Sequence, residues 1–77
     1  MRWNNYGIGL LDAQQYADSV RAFERVARLR PDYADAYTNI AVAEFSWQRY
    51  GTARTNLEKS LAIAPRNARA LYYLALV

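Results

Sequence analysis

The sequence predicts an all-α fold, a stack of antiparallel helix pairs about five helices long. Two observations carry that prediction. The stretch "LRPDYADAY" at 29–37 is written again as "IAPRNARAL" at 63–71, so Pro31 and Pro65 stand 34 residues apart. A fixed period of that size marks stacked structural units. Within each copy the large apolar residues step by three or four, which lines one face of an α-helix.

The elements follow in order. The first helix is predicted over 2–14, with Trp3, Tyr6 and Leu10 on one face and Gly7 beside them. The second, over 17–30, carries Val20 and Phe23, with Tyr16 at its entrance. Pro31 lacks an N–H and restrains Arg30, so it closes that helix. Asp32 and Asp35 are suited to start the third, over 33–47, as cap and dipole partners. There Tyr37, Ile40 and Ala41 repeat the phases of Trp3, Tyr6 and Gly7. The fourth, over 50–63, matches Tyr50 to Tyr16, Leu57 to Phe23 and Ile63 to Leu29, and closes at Pro65. Asn67 opens the fifth, over 67–77, where Leu71, Leu74 and Ala75 take the same phases a third time. Leu71 and Leu74 are expected to pack back on the fourth helix. Small residues at Gly7, Ala41 and Ala75 let a neighbouring helix approach closely. Connections this short force successive helices to pack antiparallel.

At 77 residues the chain makes one domain with a small core and a thin stability margin. It contains no cysteine and no histidine, which removes disulfides, zinc sites and the commonest neutral-pH acid–base group. No apolar run approaches the ~18 residues of a membrane span, and no basic-then-apolar leader opens the chain. The cytoplasm is the default compartment. The apolar C-terminal "LALV" reads as an array cut from something longer.

These residues resemble the tetratricopeptide repeat, whose pattern is W-x-x-L-G-x-x-Y, A-x-x-x-F and a closing P. The first copy reads Trp3-x-x-Tyr6-Gly7-x-x-Leu10, Ser19-x-x-x-Phe23, Pro31; the second reads Tyr37-x-x-Ile40-Ala41-x-x-Glu44, Ala53-x-x-x-Leu57, Pro65. A third opens Leu71-x-x-Leu74-Ala75. The units are thus 1–33, 34–67 and a partial 68–77. Gln14 and Gln48 stand where the tight turn usually carries Gly, Glu44 replaces an aromatic, and Ser19 and Ser60 replace small apolar residues. The resemblance implies a right-handed superhelical α-solenoid whose first helices line a concave groove for a peptide or partner helix. At the matching positions that groove holds Asn4, Ile8 and Leu11, then Thr38, Val42 and Phe45, then Tyr72 and Leu76. Of the polar residues in the family's chaperone-tail clamp, only Asn39 and Arg69 have counterparts, so an apolar peptide or helix is the expected ligand.

No enzyme is legible. Ser19, Ser46, Ser60, Thr38, Thr52 and Thr55 are the only hydroxyl nucleophiles besides tyrosines, and no histidine serves them as a base. Ser19 and Ser60 fall on core phases. "GIG" at 7–9 lies inside a helical pattern with no strand before it and is no phosphate loop. No cofactor or metal is expected.

Two further surfaces offer alternatives. Arg21, Arg25 and Arg28 line one stripe, and the net charge is +3. Asp18 and Glu24 stand within reach of Arg21 and Arg28, and Glu58 of Arg54, so a salt-bridged outer face outweighs nucleic-acid binding. The aromatics Trp3, Tyr16, Tyr37 and Tyr50 fall on core phases rather than forming stacking platforms. The last helix is apolar nearly all round. Tyr72, Tyr73, Leu76 and Val77 are the candidates for self-association into a homo-oligomer, the main alternative to a groove-bound ligand.

Overall fold

The computed structural model describes residues 15–77. The helix predicted over 2–14, and with it Asn4, Ile8 and Leu11, lies outside the described residues. Four helices and no strand occupy the described residues: α1 (Tyr16–Leu29), α2 (Ala34–Ser46), α3 (Tyr50–Ile63) and α4 (Ala68–Leu76). The repeat survives into backbone geometry. Both ends of α3 stand 34 residues beyond those of α1, and α4 begins 34 residues after α2.

The two proline turns have nearly the same shape. Arg30 ends α1 at φ −136°, ψ 73°, and Ala64 ends α3 at φ −132°, ψ 87°. Both residues are pushed out of the helical region by the following proline. After the second turn Asn67 caps α4, its side chain accepting from the Ala70 N–H at 3.1 Å. After the first, Tyr33 holds the cap position and no side chain caps the helix. Asp32 is therefore no cap, contrary to the sequence expectation. It sits in the turn itself, exposed, while Asp35 enters the first turn of α2.

The α2–α3 turn closes differently. The Arg49 N–H reaches back to the Glu44 carbonyl at 2.8 Å, and the Gln48 N–H to that of Phe45 at 3.0 Å. Those two bonds form the Schellman arrangement, which places its penultimate residue in the left-handed region. Gln48 sits there at φ 63°, although only glycine occupies that region without a Cβ penalty.

Two cores flank α2. On one side Phe23, Val26 and Ala27 of α1 meet Ala36, Ile40 and Ala43. On the other, Ala41 meets Ala53 and Leu57 of α3 and Ala70 of α4. Alanines at the crossings bring the backbones close, and Phe23 and Leu57, both fully enclosed, fill the volume beside them. Being covered from several directions, α2 is buried around most of its circumference, whereas α3 buries only the stripe Ala53, Leu57 and Ser60.

Polar groups inside these contacts are paired. The hydroxyls of Thr38 and Ser60 hydrogen-bond to each other at 2.7 Å, and Asn56 donates to the buried Glu44 carboxylate at 2.7 Å. Residues 38 with 60 and 44 with 56 run in opposite senses, so α2 and α3 are antiparallel. Among the described residues no buried side-chain nitrogen or oxygen lacks a partner.

Two positions differ from the packing expected of them. Leu71, expected to pack back on α3, is 48 % exposed, whereas Leu74 is half-buried against the second core. Tyr50 is likewise 48 % exposed, because it opens α3 and its ring lies on the rim of the second core.

Candidate functional site

The first helix after each proline turn, α2 and then α4, runs alongside its counterpart. Asn67 donates to the Asp35 carboxylate at 2.9 Å, and Arg69 donates to the Asn39 side-chain oxygen at 2.7 Å. Farther along, the rings of Phe45 and Tyr73 meet edge to face at 5.7 Å. The pairs 35–67, 39–69 and 45–73 advance together, so the two helices are parallel. They form a face with polar contacts at its N-terminal end and aromatic contacts at its C-terminal end.

Phe45 is the centre of the aromatic end. Its ring also meets Tyr50 at 5.5 Å, and Tyr73 meets Tyr72 at 5.2 Å, again edge to face. The resulting row, Tyr50–Phe45–Tyr73–Tyr72, spans three helices in the geometry aromatic pairs prefer. Its two inner rings pack on the second core, and its two ends are open to solvent. Val42 lies half-buried one turn before Phe45. Leu76, one turn after Tyr72, is 51 % exposed.

The residues expected in the groove therefore divide. Val42, Phe45, Tyr72 and Leu76 keep accessible surface, Phe45 and Tyr72 within the aromatic row. Thr38 does not, because it is fully buried between α2 and α3 against Ser60. The residues named for self-association also divide. Tyr72 and Leu76 point outward, while Tyr73 and Val77 pack partly against the second core. Tyr50 and Arg69 belong to the face as well. The sequence puts Tyr50 on a core phase with Tyr16, whereas Arg69, a counterpart of the clamp's polar residues, joins the face through its bond to Asn39.

The outer faces of α1 and α3 are polar. Arg21 pairs with Asp18, and Arg54 stands 4.0 Å from Glu58. Glu24 and Arg28, expected to pair, do not. The buried hydroxyls of Ser19, Thr38 and Ser60 lie inside helix contacts, where no substrate reaches them. Among the described residues no cluster of His, Cys, Asp or Glu is placed to hold a metal ion, and no helix is long and apolar enough to cross a membrane.

No protein-family model matches the chain. Over 72 residues it is 28 % identical to a Drosophila melanogaster protein described as "BBSome complex member BBS4 homolog". That alignment takes in 94 % of this chain and 15 % of the fly protein.

Proposed function

We propose that the chain is a non-catalytic protein-interaction scaffold of tetratricopeptide type, holding an apolar peptide or helix against the α2–α4 face. In this reading residues 1–33 and 34–67 are two repeats, 68–77 begin a third, and the helices stack as a right-handed α-solenoid. The observation that carries the reading is the aromatic row across three helices, seated on the second core at its middle and open at both ends. Such a patch, seated on the second core and flanked by the exposed Arg69, has the make-up of an interaction surface rather than a solvated wall. By the same 34-residue phase Ile8 and Leu11, which match Val42 and Phe45, continue the groove in this reading, while Asn4 matches the internal Thr38. Thr38 is left out of it, since its role is internal. The fly relative is by its description a member of a complex, which supports protein partners for this chain too.

The test is calorimetric titration with a blocked 14-residue peptide of leucine and glutamine, leucines at helical spacing. Groove binding predicts an affinity that changes little between about 50 and 500 mM salt, since apolar contact is not screened. It also predicts loss of binding in Tyr72→Ser/Leu76→Ser. An oligothymidylate that binds with a steep salt dependence, unaffected by those substitutions, would instead point to Arg21, Arg25 and Arg28.

A second reading rests on a separate observation. Leu71, Tyr72 and Leu76 are 48 %, 62 % and 51 % exposed on the nine-residue α4. Self-association through α4 would cover them. Both readings use Tyr72 and Leu76, so a dimer would compete with the peptide.

A further inference from the structure

On the other side of α2 lies a second cleft, of about 430 Å³, between α1 and α3. Its floor is made by Pro31, Tyr37 and Ile40, and its rim by Arg28 and Lys59, with Glu24 at one side. At roughly 100° per residue, Tyr37 and Ile40 stand about 140–160° around the helix from Val42. The cleft is thus separate from the face described above.

Two features give it a chemical preference. The floor is apolar: the Tyr37 hydroxyl reaches the Pro31 carbonyl at 3.5 Å, and the Lys59 ammonium lies 6.0 Å from the Tyr37 ring centroid. The rim cations are not neutralised. Elsewhere on the same two helices Arg21 has Asp18 and Arg54 has Glu58, but neither Arg28 nor Lys59 has a carboxylate partner among the described residues. They come from elements 31 positions apart in the chain and converge on one opening. Glu24, one turn before Arg28, opposes a continuous run of negative charge. A single carboxylate flanked by apolar side chains satisfies all of this, and a polyphosphate backbone does not.

We propose that this cleft docks a short peptide segment of a protein partner, in which one Asp or Glu carboxylate enters between Arg28 and Lys59. A neighbouring apolar or aromatic side chain of that segment lies on Tyr37 and Ile40. Arg28 supplies a planar donor fork for the carboxylate, Lys59 a point charge, and the Tyr37 ring an apolar surface.

The test is an NMR titration of backbone amides with the doubly blocked pentapeptide Ser-Leu-Glu-Phe-Ser. Saturable shifts are expected at Ala27, Arg28, Asn56 and Lys59. Replacing the peptide's Glu by Gln, or changing Arg28→Gln or Lys59→Gln, should each weaken binding about tenfold. Both residues are exposed, and an unchanged helical spectrum checks that the variants fold. A Ser-Ser-Glu-Ser-Ser peptide should bind more weakly than the parent. Equal binding of the Gln peptide, equal binding of the serine peptide, or shifts confined to other residues would overturn the proposal. So would stronger occupancy of the same amides by an oligothymidylate with a steep salt slope.

Discussion

Thr38 and Ser60 lend themselves to a quantitative test. Both side chains are fully buried and their hydroxyl oxygens lie 2.7 Å apart. Thr38→Val keeps the shape but removes that bond. Ser60 is left with only the Asn67 amide at 3.5 Å, at the limit of a hydrogen bond. An inadequately satisfied buried hydroxyl costs about 1–3 kcal/mol, and the residual Asn67 contact places this variant at about 1.5. Ser60→Ala leaves Thr38 a fallback, the Ala34 carbonyl at 3.4 Å, so its cost should be nearer 1 kcal/mol. If the two residues acted independently, the double variant would lose about 2.5 kcal/mol. With both partners replaced no hydroxyl is stranded, and the expected loss is about 1–1.5 kcal/mol. The assay is urea denaturation followed by circular dichroism, with stability taken from the midpoint at constant slope. A coupling energy of about 1 kcal/mol supports the pairing. Additivity within ~0.3–0.5 kcal/mol would refute it.

Three other outcomes follow from the structure. Gly51→Ala should stabilise by about 0.5–1 kcal/mol, because Gly51 lies in helix α3 and a Cβ there meets nothing within 4 Å; a higher urea midpoint checks it. Gln48→Gly should stabilise by up to about 1 kcal/mol and so raise the same midpoint, relieving a left-handed backbone, whereas Gln48→Val should lower it. If α4 self-associates, light scattering will show mass rising with concentration, and Tyr72→Lys with Leu76→Lys will abolish the rise. Val77 is a poorer probe because it packs on the second core.

Much of the architecture was legible because period and punctuation are local. The 34-residue offset and the two prolines place the described helix ends within about two residues. The small residues proved informative too: Ala41 is enclosed at a helix crossing, and Ser19 and Ser60 are internal. Less legible was the rotation of each helix against its neighbours. Thr38 shares an arc of α2 with Phe45, but α3 delivers Ser60 to one and leaves the other at the rim. Leu71 repeats the phase of Tyr37, yet Tyr37 has Pro31 and Lys59 beside it while the flank of α4 at Leu71 stays open. Glu44 read as a departure from the aromatic in the pattern, and its compensation, Asn56, lies twelve positions away on another helix. Such pairings depend on which helices meet, which periodicity alone does not specify.

Whether the α2–α4 face receives an apolar partner is tested by backbone-amide mapping with the leucine–glutamine peptide. Saturable shifts are expected at Val42, Phe45, Tyr72 and Leu76, with Thr38 perturbed less than these four. Shifts confined to the outer surfaces of α1 and α3, or none at peptide concentrations near 1 mM (about 4 kcal/mol of binding), would contradict that reading.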